Sequence, residues 1–254
     1  QLAFGLWQSY LRTSNAFLKN NLWGASEASR KAYLKQQVTF RDMSLTLALM
    51  LNTRKSAEEV LRYSLTRKGL LLHIAAQSGA LIKASNDPVV ATLTTKLNHS
   101  KRALSTLSAA PVEKHKLLQS RQLEQKIETL EEDLGRRISV LGRAQRQVLP
   151  TDVVKALTRQ QGLLDFHVFA EQKPGNQGEM QNLEKLLGVW VDPTLNPPIR
   201  LIDLGDFTPI AKLIAVYRKS LSDREEDETV RLGKLLYAKI WASIEPFVGN
   251  KQEI

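Results

Sequence analysis

The chain has 254 residues and 43% apolar content, enough for one large core or two modest ones and too apolar for a disordered polymer. It contains no cysteine, which excludes disulfides, thiolate metal sites and a cysteine nucleophile, and no window approaches the roughly 18 apolar residues of a membrane span. The net charge of +10 is uneven: residues 1–150 carry 23 Lys/Arg against 11 Asp/Glu, whereas residues 151–254 carry 13 against 15.

A basic excess confined to the first part suits acidic partners or nucleic acid. It equally suits a solvated face on a helical array. The basic residues are scattered and lack the interleaved aromatics of a single-strand groove, which favours the solvated face. The chain begins with Gln1 and shows no basic–apolar–cleavage-site order, so it reads as a segment cut from a longer chain, without a signal peptide. The absence of Cys fits a cytoplasmic setting.

The first 147 residues read as helix after helix. From Ala57 to Ile82, Ala57, Val60, Leu61, Ser64, Leu65, Leu71, Leu72 and Ala75 recur at helical spacing and form one apolar stripe. Ser56 with Glu59 looks like a capping box. Asn86-Asp87-Pro88 breaks the chain and starts another helix, with Asp87 as cap and Pro88 at its first position.

From Val90 the apolar pattern tightens. Val90, Leu97 and Leu104 recur every seven residues, with Leu93 and Leu107 between them. After Ala109-Ala110-Pro111, Ile127, Leu134, Leu141 and Val148 do the same, with Leu123 and Leu130 between them. Arg137 interrupts this second seam, and Ile138 beside it can turn inward. Two short heptad segments joined by a Pro-containing turn predict an antiparallel helical hairpin, with a homodimeric coiled coil as the rival.

Near Pro150 the period changes. Thr151 and Asp152 can cap a short helix over 153–157. Leu163 to Phe169, Leu187 to Val191 and Arg200 to Leu204 read as strands, with a polar loop from Glu171 to Glu179 between the first two. Two helices follow, over about 208–221 and 230–248, flanking the acidic run Asp223 to Glu228. A strand and crossover helix normally return to another strand. None follows here, so the sheet reads as incomplete.

The order of segments resembles a known family. Gly24-Ala25-Ser26-Glu27, Arg30 to Leu34, Asp42 to Leu49 and Leu65 to Leu72 are similar to the helices that precede CHAT domains, the caspase-like domains found beside tetratricopeptide repeats. Gln147 to Pro150 followed by Leu163-Leu164-Asp165-Phe166 resembles that family's opening helix and first strand. Leu201-Ile202-Asp203-Leu204-Gly205 with Ile210 resembles its Leu-Gly turn into a helix, and Arg231 to Tyr237 with Ile240-Trp241 and Ile244-Glu245-Pro246 its next helix. The resemblance covers roughly residues 22–254. It implies a mainly α chain: a repeat-like helical array and hairpin over 1–147, then a small, incomplete α/β caspase-like subdomain over 148–254.

Members of this family resemble clan CD cysteine peptidases, with a His-Gly motif and a later catalytic Cys. Neither occurs here, since none of His73, His99, His115 and His167 is followed by Gly. No catalytic, cofactor-binding or metal residue is therefore expected. His167 reads as a core or edge histidine. His99 and His115 lack the further ligands of a closed metal site. Glu124, Glu128, Glu131, Glu132 and Asp133 read as a solvated helix face pairing with Lys126, Arg136 and Arg137. Gly175-Asn176-Gln177-Gly178 is too polar for a phosphate loop. Arg67-Lys68-Gly69 could suggest an anion site, but it reads as mid-helix, its basic pair facing solvent or an acidic neighbour, which favours a packing role.

The expected function is a non-catalytic scaffold and regulatory region of a CHAT-type peptidase. Its partners would be the remainder of its own protein, the peptidase half, or another protein. Two alternatives stay open: a helical protein-binding adaptor with no peptidase, and a basic nucleic-acid-binding module.

Overall fold

A computed structural model describes residues 2–22, 24–68, 70–109, 114–142, 148–174, 179–249, 251 and 254. The chain divides into two compact units, residues 1–37 with 66–147, and residues 38–65 with 148–254. The break at 147/148 is where the hydrophobic period changes. Residues 38–65, expected within the helical array, group instead with the sheet.

The first unit holds helices α1 (Leu2–Asn21), α2 (Glu27–Gln36), α5 (Leu70–Ala84), α6 (Pro88–Ser108) and α7 (Lys114–Gly142). Ser26 caps α2 by accepting the Ser29 N–H at 3.1 Å. Asp87 caps α6 by accepting the Val89 N–H at 2.8 Å, with Pro88 in the first turn. Leu18, Leu22 and Ile74 form one buried cluster, with Tyr33, Leu70 and Leu81 against it. The heptad seams meet within one chain: Val90, Leu97, Leu130 and Leu134 are buried together, with Leu93, Ile127 and Ile82 packed on them. Pairing of the start of α6 with the end of α7 gives the expected antiparallel hairpin. Ile138 is buried, whereas Arg137 turns out to Asp87, 3.1 Å away. Val148 lies beyond α7 and is exposed, so it is not part of the seam. The Pro111 turn lies outside the described residues.

The second unit holds α3 (Val38–Leu51), α4 (Arg54–Arg67, whose last two residues group with the first unit), α8 (Pro150–Ala156), strands β1 (Leu163–Pro174), β2 (Met180–Val191) and β3 (Ile199–Asp206), then α9 (Phe207–Asp223), α10 (Glu226–Leu236) and α11 (Glu245–Val248). The stripe expected to run from Ala57 to Ile82 is two helices, α4 and α5. The capping box of α4 also starts earlier than expected. Ser56 N–H donates to Thr53 Oγ1 at 3.1 Å, and Thr53 N–H donates to Ser56 Oγ at 2.9 Å. Thr53 is thus the cap and Ser56 its reciprocal partner. The short helix α8 starts at Pro150, with Asp152 accepting the Leu149 N–H at 3.0 Å.

The sheet is an antiparallel meander in the order β1-β2-β3. Both β1 and β2 run further than their apolar cores predict. Glu171, Gln172 and Lys173 pair with Leu183, Asn182 and Gln181, so ladder bonds continue through polar sequence expected to be loop. Leu163 lies opposite Val191 and Phe169 opposite Lys185, which fixes two faces. One face carries Leu164, Phe166 and Val168 of β1 with Leu186 and Trp190 of β2. Leu186, Trp190, Ile202, Leu204, Ile210 and Ile244 form its buried core, with Ile214, Ile240, Trp241 and Phe247 against them. The other face carries Asp165, His167, Phe169 and Glu171 with Leu187, Val189 and Val191. Helix α3 packs on β1, and Leu45 and Ala48 are buried.

The last helix expected over 230–248 is broken. After α10 a π-type turn spans Tyr237–Trp241, and α11 restarts at Glu245 with Pro246 in its first turn. Its stripe is nevertheless covered in part: Leu232 and Ile244 are buried, and Ile240 packs on the core, while Leu235 is exposed.

Candidate functional site

The first concentration of polar chemistry lies in the sheet unit, on the face of β1 that carries Phe169. Strand period 2 places Asp165, His167 and Glu171 on that face. The Asp165 carboxylate accepts the Ser64 hydroxyl of α4. His167 Nε2 lies 3.0 Å from the same oxygen, off the line a hydrogen bond needs. Both side chains are largely buried, 9% exposed for His167 and 14% for Asp165. Further along, Thr46 of α3 bonds back to Asp42 O at 2.8 Å and accepts the Gln172 N–H at 3.1 Å. The buried Glu171 carboxylate is 3.0 Å from Lys173 and 3.9 Å from Lys185, and Lys185 also reaches Asp203 at 3.3 Å.

A second polar centre ties down the far end of the same unit. Lys251 Nζ lies 2.7 Å from Asp192 Oδ1 and donates to Arg159 O at 2.8 Å. Asp192 Oδ1 also accepts from Thr194 N–H and Oγ1–H, at 2.8 and 2.6 Å. Burial of Asp192 pushes its pKa up, yet the net shift is downward, because the Lys251 ammonium and the Thr194 donors favour the carboxylate more strongly.

In the helical unit Glu124 of α7 is exposed as expected, whereas Glu128 and Glu131 are not part of a free solvated face. Glu128 accepts the Ser26 hydroxyl at 3.1 Å, and Glu131 accepts the Glu27 N–H at 2.8 Å while pairing with Lys101 at 2.7 Å. These carboxylates sit at the N-terminus of α2, where the helix dipole favours negative charge. Of the predicted pairs within α7, Asp133 with Arg136 is formed at 2.6 Å. Arg67 is the last residue of α4, not a mid-helix residue. Its guanidinium donates to Ser14 and Asn15 of α1, each at 2.7 Å, and so ties α4 to α1. On the hairpin's other side, Ala103 and Leu107 of α6 with Gln119, Gln122, Leu123 and Lys126 of α7 line an open groove of about 430 Å³.

These arrangements hold elements together. Ser64 donates its hydrogen bond to Asp165 directly, so no histidine stands between this hydroxyl and carboxylate as a nucleophile–base pair requires. His99 and His115 are exposed residues of α6 and α7. The side chain of His73 and the loop Gly175 to Gly178 lie outside the described residues. Among the described residues no group of three or more His, Asp or Glu could hold a metal ion. No helix described is long and apolar enough to cross a membrane.

The Asp165–Ser64 contact escaped the sequence reading, although a signal was present. Asp165, His167 and Glu171 occupy alternate positions of a strand whose other positions are Leu164, Phe166 and Val168. Comparison with protein-family models, with curated proteins and with solved structures gave no match.

Proposed function

We propose that this chain is a non-catalytic interaction scaffold, the helical and front α/β part of a CHAT-type, caspase-like protein whose peptidase half it holds in place. The chain has no cysteine, so it is not itself a cysteine peptidase. The observation that carries the scaffold reading is the uneven cover on the sheet. Leu186, Trp190, Ile202 and Leu204 on β2 and β3 are buried beneath the closing helices. Phe166 and Val168, on the same face of edge strand β1, are 38% and 37% exposed. Large apolar side chains beside a finished core suit a surface completed by another polypeptide. The polar groups point the same way, since Ser64, Asp165, Asp192 and Lys251 are occupied in tying elements together.

The caspase-like part rests on the ordered sequence resemblance across residues 22–254, with the cytoplasm as the expected setting. A helical adaptor without a peptidase is the reading that the exposed surface alone would support. The coding sequence that follows Ile254 separates the two. The proposal expects a core strand, then a His-Gly motif and a later Cys. A continuation lacking His-Gly and Cys removes the peptidase parent and leaves the adaptor.

A further inference from the structure

We infer that the distal half of the α6–α7 hairpin is a docking groove for an acidic amphipathic helix of a partner protein. This rests on the interaction-scaffold reading and is independent of a peptidase parent. The near half of the hairpin is occupied: Val90, Leu97, Leu130 and Leu134 are buried, with Ile82 of α5 packed on them. The distal half opens into the groove between Ala103, Leu107 and Leu123, an apolar floor with Gln119, Gln122 and Lys126 beside it. Leu118, one turn before Gln122 on α7, is 59% exposed. An antiparallel pair with a continued apolar seam can accept a third helix by the same packing that joins the first two.

Charge selects the partner. Residues 96–126 carry seven Lys/Arg against two Asp/Glu. The sides of the hairpin differ. Glu128 and Glu131 are engaged by Ser26, the Glu27 N–H and Lys101. Helical spacing from Ala103 places exposed Lys96 and His99 on the groove side of α6, and exposed Lys126 is on the groove itself. No groove-lining residue is acidic. An apolar floor with a cationic rim matches a helix carrying Leu on one face and Glu on its flanks. Nucleic acid fits less well, because residues 88–142 contain no Phe, Trp or Tyr on which a base could stack.

The test uses the whole 254-residue chain and fluorescence anisotropy. The probe is a labelled peptide of roughly 20 residues with Leu at heptad a and d positions and Glu at most others. Controls are a scrambled peptide of the same composition and single- and double-stranded DNA oligonucleotides. The expected result is saturable binding of the patterned peptide, with the scramble weaker by about tenfold or more. The double variant Lys126→Glu, Gln119→Glu changes two exposed side chains and should weaken the patterned peptide by about tenfold or more, with an unchanged circular dichroism spectrum. Equal binding of patterned and scrambled peptides, no binding of either, or parental affinity in the folded variant overturns the proposal. DNA binding tighter than the peptide and lost in the same variant also overturns it, in favour of a nucleic-acid surface. Loss of the groove leaves the coding-sequence test intact, and a coding sequence without His-Gly and Cys leaves the groove intact.

Discussion

At Gly162 the backbone approaches Trp190 so closely that a Cβ there would lie 2.2 Å from the indole Cη2. Trp190 is fully buried, so the ring has nowhere to move. Gly162→Ala should therefore cost about 1–3 kcal/mol through overpacking, measured by urea denaturation. Gly79→Ala is the contrast: nothing lies within 4 Å of its Cβ, and the helix interior gains from Ala, so stability should hold or rise by about 0.5–1 kcal/mol. A second residue-scale test concerns the buried pair Lys251 and Asp192, whose side chains are 7% and 3% exposed. Lys251→Met strands the carboxylate and should cost about 3 kcal/mol. The folded pKa of Asp192 is lowered, so its stabilisation is complete above the ordinary carboxylate range and is lost as the pH falls below about 4. Asp192→Asn should flatten that part of the acid denaturation profile. An unchanged acid profile in the variant would show that the pair does not contribute this dependence.

Among the elements, α6 gives the most direct sequence-to-structure link. Asp87 and Pro88 start it as their types require, and the cap is formed. Asp87→Ala should lose about 1 kcal/mol of stability, since it removes the cap bond and the exposed contact to Arg137. The heptad positions of Val90, Leu97, Leu130 and Leu134 were legible because one period persists through both helices. The lengths of β1 and β2 were not, because Glu171 to Lys173 pair through backbone bonds that no side-chain pattern announces. The cap of α4 was misplaced for a related reason. Ser56 is a plausible cap by type, but Thr53 three residues earlier reaches it, and cap bonds decide the boundary. The break after Leu236 falls among residues that all suit a helix, and only packing places the turn of backbone that brings Ile244 into the core. Of the candidate interaction site, the basic bias of the hairpin was readable from composition. The groove was not, because it depends on which half of the seam α5 occupies.

For the whole molecule, charge and contacts divide together. The unit rich in Lys and Arg is the helical one, and the sheet unit draws in residues 38–65 because α3 packs on β1 and α4 supplies Ser64 to Asp165. The purified chain should cleave no peptide above buffer in a broad library, because it lacks a thiol and has no His-Gly motif. Cleavage that persists through further purification would contradict that. The central claim, that the sheet unit awaits another polypeptide over β1, is tested most directly by hydrogen exchange across 163–169. The measurement compares the 254-residue chain alone with the same segment in the longer CHAT-type parent that the proposal expects. The account predicts slower exchange of this strand in that longer protein. Equal and strong protection of this strand in the isolated monomer would show that the sheet is already complete.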